Sequence, residues 1–248
     1  MPYEEYLRMP NAEVPPELAE ALRTGGSVTP LSFADRERAL LDPALRREAG
    51  FVRLPSGTWL VAMWCPMPGV TAQMVDWWFW WHPQDSARYR LWFPGEHLSI
   101  GTARRDAAYF DAAEQPPFSP NTQYPAERIG GVPMPLRLDF VTAEDFGLPA
   151  AACREARVAT TVCCHVGAFG GLVWHTQMAH VLFEDEGGLW MASRFWIGEL
   201  LKNRLLRHAI LDGDGMARGM AEHCCVEYRN LAAKLPDLWR EFGPGATA

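Results

Sequence analysis

The stretch Gly215–Leu235 constrains the fold most, because it reads as one long helix with a continuous apolar stripe. Met216, Met220, Cys224, Glu227 and Leu231 recur at spacings of four, four, three and four, with His223 beside them. That is the core-facing side of an amphipathic helix. A carboxylate on that side is buried on folding, which is costly unless it is paired or bound to a metal. His223 and Glu227 lie one turn apart, so one ion could take both. A hydrogen-bonded core histidine, with Glu227 held by an arginine from elsewhere, fits the same spacing, and the spacing alone leaves both readings open.

What precedes the helix decides what it packs on. Strand-like segments are Thr58–Cys65, Ala126–Gly130, Leu136–Val141, Glu155–Val166, Leu172–Phe183 and Leu189–Ile197. The last three are joined by short glycine-containing turns, Gly167–Gly171 and Glu184–Gly188, which predict antiparallel hairpins. Thr58–Cys65 is apolar on both faces and therefore buried, and Pro66 is expected to end it. Thr71–Trp81 reads as a short helix with Thr71 as its N-cap. Residues 101–125 read as a long loop. After Gly198 the pattern turns helical and is expected to run to Lys234, where Pro236 stops it. Antiparallel strands followed by a long C-terminal helix define an α+β fold. A curved antiparallel sheet around that helix would enclose a cavity lined by His223 and Glu227. Residues 1–50 form an N-terminal helical arm, with pieces at Glu17–Thr24 and Ala34–Ala49, and residues 51–248 form a single domain.

Bulk properties exclude several classes. A formal charge of −7 argues against non-specific nucleic-acid binding. The N-terminal sequence M-P-Y-E-E-Y-L-R-M-P has no apolar core of a secretory signal, and the apolar run Val75–Trp81 is too short to span a bilayer. A cytoplasmic location is the expectation. The six cysteines show neither a secreted disulfide framework nor a C-x-x-C zinc spacing, so packing is their expected role. Eleven tryptophans, with W-W-F-W-W at 77–81, supply core area and suit a cavity for a flat aromatic ligand.

A helix pair needs one or two further donors to complete a catalytic metal site. Of the seven histidines, His82 and His208 are expected at the surface, and His165, His175 and His180 on strands. His97, just after a Pro-Gly turn in an aromatic neighbourhood, is the best loop candidate. Glu127 stands out among the acids because it opens a strand before Gly130-Gly131.

Four segments, W-W-F-W-W-H at 77–82, R-Y-R-L-W-F-P-G-E-H at 88–97, S-R-F-W-I-G at 193–198 and H-C-C-V-E at 223–227, resemble the 2,4-diacetylphloroglucinol hydrolase family, to which phloretin hydrolase is related. The resemblance covers residues 55–236 in the family's order. It implies a Bet v1-like helix-grip fold and zinc-dependent hydrolysis of the carbon–carbon bond between an acyl group and a phenolic ring. It places the zinc ligands on His97, Glu127, His223 and Glu227. It puts His180 and Tyr89 at the substrate as orienting or proton-donating groups, with Trp92, Ile100 and Phe195 in the substrate wall. Two of these depart from the family pattern: Ile100 stands for an asparagine and Phe195 for a tyrosine, both polar contacts to the phenolic substrate. The implied partner is a small phenolic ketone, with no nucleic acid and no membrane; a homodimer is a further expectation. The rival reading is a non-catalytic helix-grip carrier of an aromatic or polyketide-like molecule.

Overall fold

A computed structural model describes residues 3–185 and 188–246 of the 248-residue chain. Among these residues, nine strands carry the fold: β1 (Gly50–Arg53), β2 (Trp59–Met67), β3 (His97–Ser99), β4 (Asn121–Gln123), β5 (Ala126–Ile129), β6 (Val132–Val141), β7 (Val158–Ala168), β8 (Val173–Asp185) and β9 (Gly188–Ile197). The helices are α1 (Glu4–Arg8), α2 (Pro16–Thr24), α3 (Arg36–Leu41), α4 (Ala72–Trp81), α5 (Ser86–Trp92), α6 (Ala107–Phe110), α7 (Ala143–Phe146), α8 (Ala150–Glu155), α9 (Arg204–Ile210) and α10 (Gly215–Phe242). The strands join one antiparallel sheet in the order β1-β2-β9-β8-β7-β6-β5-β3, with β4 also on β6. The expected hairpins form, and Glu186-Gly187 at the centre of the second turn lie outside the described residues.

The period of two along the strands divides two cores. On β9, Met191, Phe195 and Ile197 join the core beneath α10, while Ala192 and Trp196 face a second core with Leu40 and Phe146. The N-terminal segment enters both: Tyr6, Leu18 and Leu22 the first, and Ala39, Leu40 and Leu41 the second. Thr71 caps α4 as its sequence predicts, its hydroxyl accepting from the Met74 amide at 3.3 Å. Among the described residues no helix is long and apolar enough to cross a membrane.

Several boundaries differ from expectation for physical reasons. Pro66 does not end β2, because β1 pairs only as far as Ala62, so the strand edge at Pro66 needs no amide donor. Nor does Pro236 end α10. The missing helical bond and ring clash cost about 3 kcal/mol. Beyond the proline Leu238 is fully buried, Trp239 meets Trp77 edge-on at 5.4 Å, and Phe242 stacks on Trp81 at 5.6 Å. Burial of that aromatic area outweighs the break. Ala34–Ala49 is helical only over Arg36–Leu41 after one 3-10 turn, and β7 starts after Arg157, which takes a left-handed φ of 58°. The 101–125 segment is not all loop, since α6 and β4 lie within it. His82 is not at the surface: it is buried, and its ring stacks between Trp78 and Tyr89.

Candidate metal centre and cavity

Three elements converge on one buried point. Helix α5 ends at Trp92, and the following turn delivers His97 as the first residue of β3, where it pairs in register with Glu127 of β5. Helix α10 lies across them with His223 and Glu227 on its inner face. Their donor atoms form a tight set. His97 Nε2 is 3.4 Å from His223 Nε2 and 3.5 Å from Glu227 Oε2. His223 Nε2 is 3.6 Å from Glu227 Oε2 and 3.7 Å from Glu127 Oε2. Ligands about 2.0–2.1 Å from a tetrahedral zinc stand roughly 3.3–3.4 Å apart, so these separations are close to those of the edges of such a polyhedron. One donor atom from each of His97, Glu127 and His223 lies within 4.8 Å of the other two, and Glu227 stands outside that group of three but beside both rings.

The electrostatics point the same way. Burial raises Glu127 to about 7, a rise partly offset by the Tyr89 hydrogen bond. Burial, then the Glu127 charge, pushes Glu227 well above the carboxylate range. Burial brings His223 down to about 4, opposed by a backbone contact to Arg128. It also holds His97 well below its ordinary value, helped by His223 and His82. Neutral imidazoles therefore aim their Nε2 atoms at a point shared with two buried carboxylates. Such a donor set fits a divalent ion. Tyr89 fixes the geometry of Glu127: its hydroxyl donates to Oε1, leaving Oε2 toward His223, and its ring stacks on His97 at 4.2 Å. The backbone of Tyr89 also opposes the shift at His97, although His97 Nδ1 lacks a hydrogen bond of normal geometry.

Above this point opens a cavity walled by the sheet and α10. Glu127, His223, Glu227, Tyr89, Trp92, Ile100, His180 and Phe195 all line it, whereas His97 lies behind the lining. Trp92 also ties α5 to α10, its indole donating to the Glu227 carbonyl at 2.9 Å. His180 is held at Nδ1 by the Ser193 hydroxyl, 2.7 Å away, and burial takes it to about 3. It therefore stays a neutral imidazole with Nε2 left for a ligand. Sequence reasoning missed Tyr228. Its ring lies 4.6 Å from His180 and 5.3 Å from Trp92, and burial raises its hydroxyl well above the ordinary value. Its spacing, four after Cys224 and three before Leu231, already places it on the stripe.

Lys234 and Arg194 are buried cations outside the donor set, and Lys234 is the one that packs near α5. Lys234, 1% exposed, donates to the Leu91 carbonyl at 2.8 Å near the end of α5. Burial lowers it from 10.5 to about 8. A lysine whose folded value lies below its unfolded one destabilises the fold wherever it is charged. The penalty is complete below about 8 and relieved as pH rises toward 10.5. After allowing for the lost hydrogen bond, Lys234→Met should exceed the parent in stability by about 2 kcal/mol at neutral pH. Urea midpoints at pH near 7 and near 10 should show that gain shrinking as the pH rises. A variant no more stable at neutral pH would contradict this account.

Fold and site together define an α+β protein with a buried histidine–carboxylate centre at the base of an aromatic cavity. Comparison with known proteins makes the assignment specific. The family model described as DAPG hydrolase PhiG domain matches residues 31–240, and the chain belongs to this family. It is 31% identical to a 2,4-diacetylphloroglucinol hydrolase of a Pseudomonas species, over 99% of this chain and 90% of that one. It is also 31% identical to phloretin hydrolase of Eubacterium ramulus, over 96% of this chain and 89% of the relative. Among solved structures, a Mycobacterium smegmatis protein, Ms6760, superposes with a TM-score of 0.42 at 10% identity, over 76% of this chain and 98% of that one. That likeness is too distant to carry an argument.

Proposed function

We infer that the protein is a zinc-dependent hydrolase of a Bet v1-like helix-grip fold, cleaving the carbon–carbon bond between an acyl group and a phenolic ring. The observation that carries the reading is the four-donor cluster of His97, Glu127, His223 and Glu227 opening onto an aromatic cavity. The relatives are named for hydrolysing 2,4-diacetylphloroglucinol and phloretin, both acylated phenols, which supports the substrate class. A carrier has no use for two buried carboxylates facing two neutral imidazoles, so the centre favours an enzyme.

The four donors would hold the ion. Bound there, zinc supplies Lewis acidity that polarises the acyl oxygen and lowers the pKa of water. The protein's own groups do the rest. In the overall reaction the oxygen of water joins the acyl carbon, the acyl–aryl bond breaks, and the ring carbon takes a proton. The products are a carboxylic acid and the deacylated phenol. Tyr89 is committed to orienting Glu127. His180, with Ser193 on Nδ1, presents Nε2 to a phenolic oxygen. Tyr228, kept protonated, stands beside it as a hydrogen-bond donor to the substrate's phenolic oxygen, and the proton that the ring carbon takes up derives from the attacking water. The indole of Trp92 and the side chains of Phe195 and Ile100 exclude water from the ring.

Metal analysis of the purified protein, followed by incubation with acylphloroglucinols, tests the reading. About one zinc per chain and release of one acid per deacylated ring are expected. A metal-replete protein that releases no acid from any acylphenol or β-diketone would end the proposed reaction.

A further inference from the structure

The cavity is chemically uneven. Its polar groups gather around the histidine–carboxylate centre, where Tyr228 adjoins Glu227 and His180 adjoins Tyr228. Away from that point, Ile129, Met134, Met178, Ile197, Met216 and Met220 contribute apolar lining. The polar groups among them are His175 and Thr176, whose Nδ1 and hydroxyl bond to each other at 2.8 Å, and Gln123, whose amide donates to the Asn121 side chain at 3.1 Å. Along α10 the sequence of contacts is directional. Met220 lies one turn before His223 and Met216 a second turn further, where it lines the cavity and is itself 38% exposed to solvent. Seven residues of helix separate Met216 from His223, an apolar path of about 10 Å. Four methionines among these six side chains make a wall that adapts to a flexible chain rather than to a rigid polar ring.

We propose that the substrate class is aryl ketones with an extended acyl chain, of hexanoyl to decanoyl length, lying along Met220 and Met216 with the ketone at the centre. The reaction at that centre rests on the hydrolase reading above; the chain-binding channel rests on the lining alone. A short acetyl group would leave the methionine wall in contact with water and forgo its burial.

Two measurements separate the claims. The first is binding of inert 4-alkylphenols, from methyl to octyl, read by quenching of tryptophan fluorescence. Affinity should rise roughly three- to fourfold per methylene until the chain reaches Met216. Met216→Glu, at a partly exposed position that tolerates a charge, should cut the gain from the last methylenes, and Met220→Gln should flatten the series earlier. A dissociation constant that is flat across the series in the parent protein overturns the channel. The second is turnover of acetyl- against octanoylphloroglucinol, with kcat/KM expected to favour octanoyl at least tenfold. Equal cleavage of both overturns the substrate class while leaving the hydrolase reading in place. A steep binding series with no cleavage of either ketone keeps the channel and rejects the hydrolase reading.

Discussion

Glu227→Ala and His223→Ala should each fold, lose tightly bound zinc and lose turnover by at least about a thousandfold, because polarising the acyl oxygen is worth several kcal/mol. The two changes also carry a stability signature that a simple packing defect lacks. In the metal-free protein Glu227 is a buried carboxylate beside Glu127, and burial pushes both upward, Glu127 to about 7. An acid whose folded value is raised binds more protons folded than unfolded, so stability falls as pH rises. For Glu127 the window runs from the ordinary 4.5 to about 7. Glu227→Ala removes a carboxyl that must take up a proton to be buried at neutral pH, and should make the metal-free protein more stable there. With zinc present the order reverses, because the parent gains the linkage term from binding while the variant does not. Thermal unfolding of both proteins with zinc and with chelator reads all four values. Retention of zinc and activity by both variants would end the metal assignment; a variant equally destabilised with and without metal would mark a purely structural role.

How much of this is legible in the sequence varies by residue. The stripe on α10 is readable because helical periodicity is local, and it places His223 and Glu227 together without any knowledge of the sheet. His97 and Glu127 are different. They face each other across the β3–β5 pairing, thirty residues apart, and no spacing rule brings such residues together. Only the resemblance to a family puts them beside the helix. His82 escapes sequence reasoning because a histidine before proline looks like a turn residue. The aromatic stack of Trp78 and Tyr89 that buries it is assembled from neighbouring helices. Pro236 misleads for a related reason: local propensity says stop, and the tryptophans of α4 that hold the last turns of α10 lie far away in sequence. Tyr228 is easily passed over although the period announces it, since a tyrosine on an apolar stripe reads as packing until a cavity is seen beside it.

Gly219→Val should leave the fold standing and weaken zinc binding at least about a hundredfold, although Gly219 touches no ligand. The reason lies where β5 meets α10. A Cβ on Gly219 would stand 3.0 Å from Gly130 Cα and 3.2 Å from Gly130 N, and both are backbone atoms that cannot rotate aside. Gly130 itself has a φ of +58°, so the turn there cannot be rebuilt cheaply around a larger neighbour. A side chain at 219 therefore levers the strand from the helix. Glu127 lies three residues before Gly130, and His223 one turn after Gly219, so the displacement opens the gap between Glu127 Oε2 and His223 Nε2, now 3.7 Å. On helix propensity alone, replacing an interior glycine should help or be nearly neutral, by up to about 1 kcal/mol, so the packing contact and the propensity predict opposite signs. Gly215→Ala is the control: it begins the same helix, has open space where the added methyl group would stand, and should bind zinc like the parent. Competition with a chromogenic chelator gives the affinities, and circular dichroism the helix content. Unchanged zinc affinity in a folded Gly219→Val protein would show that the close approach of strand and helix does not set the metal geometry.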